Sequence, residues 1–111
     1  MMKRNCKTRR EVRNLSKCIN ICRSFNRVQY VFADKLERDD EVKEFECNVP
    51  LQNLNYTTDF LVTMKNGEKK VYECVKRDHL TKPLDVKILD ISRTYWLRRG
   101  VEWGVVTSEE E

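Results

Sequence analysis

Hydrophobic residues recur at helical spacing before the middle of the chain. Val28, Phe32 and Leu36 are each four residues apart, and this spacing predicts a helix with one buried stripe. Asn26 precedes the stripe and can act as an N-cap, because its side-chain oxygen can accept a hydrogen bond from a free backbone N–H. The pattern therefore predicts a first helix that begins after Asn26 and runs to about Glu37.

A second helix is predicted in the last third of the chain. Pro83 suits the first turn of a helix, and Gly100 suits the position just after its end. The predicted apolar stripe consists of Leu84, Ile88, Ile91 and Tyr95.

Helical spacing also occurs near the N-terminus, where Leu15, Cys18, Ile19 and Cys22 recur. Residues 10–23 are therefore predicted to form a short basic amphipathic helix. The chain has one histidine and no second cysteine pair at ligand spacing, so packing is a better interpretation of Cys18 and Cys22 than zinc binding.

Four runs rich in β-branched and aromatic residues predict strands. They cover residues 42–49, 56–64, 69–76 and 101–107. Pro50 ends the first run, because proline cannot donate to a strand ladder. The predicted order is α-β-β-β-α-β after a basic N-terminal arm, which is an α/β fold.

The second and third strands are joined by Asn66-Gly67. Asn-Gly between strand-like runs is a strong hairpin signal, because a type I′ turn needs positive φ at both central residues. A two-residue turn at this site predicts that Lys65 faces Glu68.

This register brings three chemically useful side chains together. Asp59 would directly face Cys74, and Lys76 would lie on the same face because it is two residues farther along the strand. Glu73 would point to the other face unless the register shifts by one residue. The hairpin therefore predicts a small polar patch of Asp59, Cys74 and Lys76.

Composition places few limits on function but narrows the class of protein. The chain has 111 residues, of which 36% are charged, so it is predicted to be one small globular body rather than a low-complexity chain. No apolar run approaches the ~20 residues that span a bilayer, and no signal-peptide pattern opens the chain. Five cysteines, an odd number, favour reduced thiols, so a cytoplasmic location is expected.

The charge is distributed unevenly along the chain. Residues 1–27 carry nine basic side chains and one acidic side chain, a net charge of +8, whereas the remainder carries 13 basic and 17 acidic side chains, or −4. A basic arm on a mildly acidic body is typical of proteins that bind polyanions. The alternative is a solvated leader without a partner. The nine basic residues are Lys3, Arg4, Lys7, Arg9, Arg10, Arg13, Lys17, Arg23 and Arg27.

The hairpin chemistry resembles that of a known nuclease superfamily. An Asp that faces the first residue of Cys74-Val75-Lys76, in an α-β-β-β-α-β chain, resembles the restriction-endonuclease-like PD-(D/E)XK nucleases. The runs TDFLVTMKNG, CVK and KILDISRTYWLRRGVEWGVVT are similar, more narrowly, to the N-terminal catalytic domain of TnsA, the endonuclease subunit of a heteromeric cut-and-paste transposase. The resemblance covers about residues 24–111, which would form the nuclease-like domain, with 1–23 as the arm.

The resemblance implies a fold, a reaction and partners. The fold would be a restriction-endonuclease-like core with a mixed sheet flanked by helices, and the reaction would be phosphodiester hydrolysis in double-stranded DNA with Mg²⁺ or Mn²⁺. Asp59 and the residue at position 74 would hold the metal, and Lys76 would orient or activate the attacking water. A partner transposase subunit is also implied, whereas no membrane is.

Two positions depart from the family pattern. Gln29 stands where the family has a catalytic Glu on the first helix, and Cys74 stands where it has Glu or Gln. A neutral amide coordinates Mg²⁺ poorly, and a thiol is a soft ligand for a hard ion. Two hypotheses follow: an endonuclease module with a weakened or inactive site, or a non-catalytic DNA-binding or assembly protein with a nuclease-like fold, such as a phage head-completion or DNA-end protein.

Overall fold

A computed structural model describes residues 11–52, 54–76 and 79–107 of the chain. From the first helix onward, the elements follow the predicted α-β-β-β-α-β order. The elements are β1 (Glu11–Arg13), β2 (Cys22–Ser24), α1 (Arg27–Arg38), β3 (Val42–Pro50), β4 (Thr57–Met64), β5 (Lys69–Val75), α2 (Pro83–Leu97) and β6 (Glu102–Thr107).

The central sheet is mixed, as predicted. Its strand order is β3-β4-β5-β6, with antiparallel pairing between the first three strands and parallel pairing between β5 and β6. Parallel neighbours need a crossover connection, and α2 provides it. No helix in the described part of the chain is long and apolar enough to cross a membrane.

Helix α1 covers one face of the sheet. The side chain of Asn26 accepts a hydrogen bond from the backbone N of Gln29 at 2.9 Å, which confirms the predicted N-cap. Val28 and Leu36 are buried, and the ring of Phe32 packs edge-on against another ring of this core. The prediction of this helix and its stripe is therefore confirmed.

Helix α2 covers the other face, but its predicted stripe is only partly right: Tyr95 packs against the core, and Ile88 and Ile91 are half-buried. Leu84 is 56% exposed, and the fully buried residues of the helix are Ser92 and Trp96. Both side chains donate hydrogen bonds inside the protein, so the helix turns this polar pair toward the sheet. A hydrophobic pattern alone does not anticipate a buried serine at the centre of the contact.

Two apolar clusters fill the space between the sheet and its helices. Because side chains alternate along a strand, Phe60 and Val62 lie in the cluster under α1, whereas Leu61 packs in the cluster under α2. Trp96 anchors the second cluster together with the buried Val71. The predicted α/β architecture with helices flanking a mixed sheet is therefore confirmed.

The predicted helix over residues 10–23 is wrong. β1 and β2 pair as a short antiparallel ladder, with Val12 opposite Arg23. Between them, the backbone of Ile19 donates to Phe45 at 2.8 Å, and Phe45 donates to Lys17 at 2.9 Å, at the edge of β3. An edge strand has backbone N–H and C=O groups that no neighbouring strand occupies. The segment between β1 and β2 hydrogen-bonds to these groups of β3, and this pairing takes the place of the predicted helix. The domain boundary at residue 23 stays a prediction.

The predicted register of the β4–β5 hairpin is wrong by one residue. The prediction placed Leu61 opposite Tyr72, but the structure pairs Leu61 with Val71. The backbone of Met64 donates to Glu68 at 2.8 Å, so three residues, 65–67, form the loop instead of two.

The conformation of the loop explains the shift. Gly67 has a φ of 93°. Among the non-glycine residues of the described chain, only Asn48 has a positive φ, so Asn66 does not adopt the conformation that a type I′ turn requires. The Asn66 side chain instead accepts a hydrogen bond from the backbone of Glu68 at 2.9 Å. A three-residue loop with glycine in the left-handed region is the alternative hairpin for such a sequence.

We expect Gly67→Ala to lower the free energy of unfolding by about 1 kcal/mol, because alanine is strained at positive φ. Gly104→Ala is the matched control: its added Cβ would meet the ring of Tyr72 at 3.6 Å, an ordinary contact. Urea denaturation of both variants measures the difference. A larger loss in Gly104→Ala than in Gly67→Ala would contradict the loop geometry.

Candidate functional site

The candidate site lies where the regular pairing of β4 with β5 ends. That pairing runs from Thr63–Lys69 to Phe60–Tyr72. Past this point, carboxylates of each strand accept hydrogen bonds from the backbone of the other. The backbone N of Asp59 donates to Oε1 of Glu73 at 3.1 Å, and the backbone N of Cys74 donates to Oδ2 of Asp59 at 2.7 Å.

Consecutive residues Asp59 and Phe60 both contact α1, although side chains of a regular strand alternate between faces. The Phe60 ring packs on Phe32 with centroids 5.5 Å apart, and Asp59 bonds to Gln29. The alternation is therefore interrupted between them. This break is why Asp59 contacts Cys74 even though the predicted register was wrong.

Asp59 is 2% exposed, and both of its carboxylate oxygens accept N–H groups. Oδ1 accepts from Nε2 of Gln29 at 2.7 Å, and Oδ2 accepts from the backbone of Cys74. The aspartate thus links α1, β4 and β5 at one point. Hydrogen bonds to a buried carboxylate offset part of its desolvation cost.

Gln29 is 1% exposed, and the orientation of its amide is set by its surroundings. Its Oε1 accepts a hydrogen bond from the backbone N of Phe25 at 2.6 Å. Because a backbone N–H needs an acceptor, the amide oxygen must face Phe25, and the NH₂ group must face Asp59. A glutamate here would place one carboxylate against another.

Glu73 belongs to a buried network on the α2 side. Its Oε2 accepts hydrogen bonds from Thr58 Oγ1 at 2.9 Å and from Ser92 Oγ at 2.6 Å. Two indole groups continue the network: Trp96 Nε1 donates to Thr58 at 2.6 Å, and Trp103 Nε1 donates to Ser92 at 3.0 Å. These donors support a buried carboxylate that is 2% exposed. Sequence reasoning missed this network, because its members are far apart in the chain.

Cys74 and Lys76 are the other members of the predicted patch. Cys74 is buried in the cluster under α1, and its backbone, through the N–H, contacts Asp59. Lys76 directly follows β5 and is partly exposed, and its place on the face of Asp59 stays a prediction. The structure therefore brings Gln29, Asp59 and Cys74 together.

The donor set does not fit a hard divalent cation. Gln29, Asp59 and Cys74 together offer a single carboxylate, that of Asp59, whose two oxygens already accept N–H groups, and an amide oxygen that accepts from the backbone. The thiol of Cys74 is a soft ligand. Mg²⁺ and Mn²⁺ prefer several carboxylate or water oxygens.

The predicted basic residues occupy different environments. Arg13 bonds to Asp34 at 2.5 Å and stacks 3.6 Å above the ring of Tyr30, and Lys17 donates to the backbone O of Asp39 at 2.6 Å. Arg23 and Arg27 are exposed. The others, Lys3, Arg4, Lys7, Arg9 and Arg10, lie outside the described residues.

A protein-family model matches most of this chain. The family model described as TnsA-like endonuclease N terminal matches residues 19–108. The match includes Gln29, Asp59, Cys74 and Lys76, and the observed architecture is compatible with a restriction-endonuclease-like core. No curated protein matches the chain.

We expect Ser92→Ala to lower the free energy of unfolding by about 2 kcal/mol, because it removes one donor to buried Glu73 and the acceptor of Trp103. Thr94→Ala, an exposed position on the same helix, is the matched control and should change stability little. Chemical denaturation followed by tryptophan fluorescence measures both. Equal effects of the two substitutions would contradict the network.

Proposed function

This chain belongs to the TnsA-like endonuclease N-terminal family. We propose that it binds double-stranded DNA through a nuclease-type domain whose own hydrolytic site is inactive. The observation that carries the proposal is the 2.7 Å hydrogen bond from the Gln29 amide to Asp59. Nucleases of this class are generally metal-dependent, so the state of the metal site decides whether the domain cuts.

The Gln29 amide does what a cation does in a site of two carboxylates. Two buried carboxylates repel each other, and a bound divalent ion or a shared proton relieves the repulsion. At this site, an N–H donor meets Asp59 instead, so the aspartate is stabilised without an ion. Glutamine at position 29, in place of the family's glutamate, thus removes one oxygen ligand for a metal ion. It also removes the charge repulsion that a bound ion would relieve.

A second candidate function is residual metal-dependent endonuclease activity with Mg²⁺ or Mn²⁺. The retention of Asp59 and Lys76 at the end of the hairpin favours it. Asp59 would be the remaining carboxylate for the ion, and the Lys76 ammonium would stabilise negative charge at the phosphate. Cys74 would contribute weakly, because a thiol is a poor ligand for these ions.

DNA binding would use the positive groups around the N-terminal end of α1. Arg27 is the first residue of that helix, and Arg23 lies on the neighbouring β2; both are exposed. The basic residues of positions 1–10 would extend this surface along the phosphate backbone. A domain that binds but does not cut would act together with a partner transposase subunit.

We expect Gln29→Glu to restore metal affinity. At neutral pH without metal, the variant should melt about 5 °C or more below the natural chain, because two carboxylates then meet in a buried site. Mn²⁺ should recover this loss. Acid should also recover it, because protonation of one of two facing carboxylates removes their repulsion. Thermal melts with Mn²⁺ or with chelator measure both effects.

Gln29→Leu is the control, since it removes the amide donor without adding a carboxylate, and its melting temperature should not respond to Mn²⁺. The double variant Gln29→Glu/Cys74→Glu should nick supercoiled plasmid in Mn²⁺, and Asp59→Asn should abolish that nicking. Nicking by the natural chain that depends on Asp59 would replace the proposal with the second candidate. No response of Gln29→Glu to Mn²⁺ would contradict the site.

We expect Arg23→Ala/Arg27→Ala to weaken DNA binding to the same extent for all duplex sequences, because phosphate contacts carry no sequence information. The slope of log K against log salt should become less steep by about 2, through the loss of two phosphate contacts. Lys43→Ala/Lys65→Ala, which removes the same charge at the opposite end of the sheet, is the control. Equal effects would contradict this surface.

A further inference from the structure

Three cysteine thiols converge on the side of the sheet that α1 covers. Cys18, Cys22 and Cys47 are 9%, 0% and 1% exposed, and their sulfurs lie within 4.8 Å of one another. The Sγ atoms of Cys47 and Cys22 are 3.1 Å apart, and those of Cys18 and Cys47 are 3.5 Å apart. Cys74 lies in the same apolar core but is not one of these three close sulfurs.

The backbone places these thiols independently of any bond between them. Cys18 bridges in parallel to Phe45 at the edge of β3, and Cys22 begins β2. The side chain of Asn20 clamps the backbone of Cys47 on both sides: its Nδ2 donates to the carbonyl at 2.9 Å, and its Oδ1 accepts from the N–H at 3.1 Å. The three sulfurs are therefore held at one point by three elements.

We propose that Cys18, Cys22 and Cys47 bind one Zn²⁺ ion as thiolates. Zinc–thiolate bonds of ~2.3 Å in a tetrahedron place sulfurs about 3.8 Å apart, and the observed separations require only small movements to reach that geometry. Cys18 and Cys22 are separated by three residues, a spacing typical of zinc ligands. The third ligand comes from β3, which is why the sequence pattern did not indicate the site.

The surroundings suit an anionic metal centre. Three thiolates and one Zn²⁺ carry a net charge of −1. Among the described residues, the buried side-chain atoms without a hydrogen-bond partner are Arg13 Nε and Ser24 Oγ. Arg13 is paired with Cys22 across the β1–β2 ladder, and Ser24 shares the buried face of β2 with Cys22. Both are donors of the kind that support zinc-bound sulfur.

Water would supply the fourth ligand, and Cys18 is the most exposed of the three cysteines, at 9%. Ile19 and Ile21, on either side of Asn20, are 59% and 45% exposed, so the segment that carries Cys18 and Cys22 lies at the surface. The soft donor set selects Zn²⁺ over Mg²⁺ and Mn²⁺. The ion would join residues 18–22 to β3 and would stabilise the N-terminal part of the fold, whether or not the domain cuts DNA.

The experiment uses the full chain, kept reduced and freed of metal with a chelator, and titrates it with Co²⁺ and then Zn²⁺. We expect one equivalent of Co²⁺ to produce thiolate charge-transfer bands and the d–d bands of a tetrahedral site. Zn²⁺ should displace the Co²⁺ and raise the melting temperature, whereas millimolar Mg²⁺ should do neither. A natural chain that binds less than one equivalent of Co²⁺ and Zn²⁺ would overturn the proposal.

Variants assign the ligands. Cys47→Ser and Cys22→Ser should each weaken Zn²⁺ binding about tenfold or more, whereas Cys74→Ser, which removes a buried thiol elsewhere, should not. Circular dichroism checks that each variant is folded. The titration is repeated with Cys6→Ser, since Cys6 lies outside the described residues, and full binding is expected. Equal losses in Cys74→Ser and Cys47→Ser, or loss of binding in Cys6→Ser, would overturn the three-thiol site.

Discussion

The hydrogen bonds of the Asp59 carboxylate connect helix α1 to the end of the β4–β5 hairpin. Its oxygens accept from the Gln29 side chain on α1 and from the Cys74 backbone on β5, while its own backbone N–H bonds to Glu73. A buried carboxylate without such donors would cost several kcal/mol, so α1 must enter the site in register with the end of the hairpin. This contact fixes α1 against the end of the hairpin, at the point where the strand pairing is interrupted.

The two carboxylates near this break have different roles because their partners differ. Glu73 is surrounded by hydroxyl donors from Thr58 and Ser92, which two tryptophans hold in place, and it stabilises the contact between α2 and the sheet. Asp59 meets one amide and one backbone N–H on the opposite side. Family membership therefore establishes the type of domain, whereas the donors around each carboxylate decide what chemistry the site can support.

The thiol cluster and the Asp59 site divide the molecule by ligand chemistry. The Asp59 site offers oxygen and nitrogen groups that are already paired, whereas Cys18, Cys22 and Cys47 offer three sulfurs beside an arginine and a serine. The three thiols suit a soft metal ion. The Asp59 site would suit a hard metal ion only after a change at Gln29. An effect of Zn²⁺ on stability and an effect of Mn²⁺ on cleavage would thus arise at different places.

From α1 onward, the sequence by itself determined the elements and their order, and it predicted Gln29, Asp59 and Cys74, which the fold brings together. The helix after Asn26, the strands and the end of α2 near Gly100 depend largely on local interactions. Such interactions leave a pattern in the sequence. Tertiary structure decided the rest: edge pairing with β3 replaced a helix over 10–23, the three-residue loop shifted the register, and buried Glu73 turned Ser92 toward the sheet. Only folding brought Cys47 to Cys18 and Cys22, because contacts between distant residues leave no periodic signal in the chain.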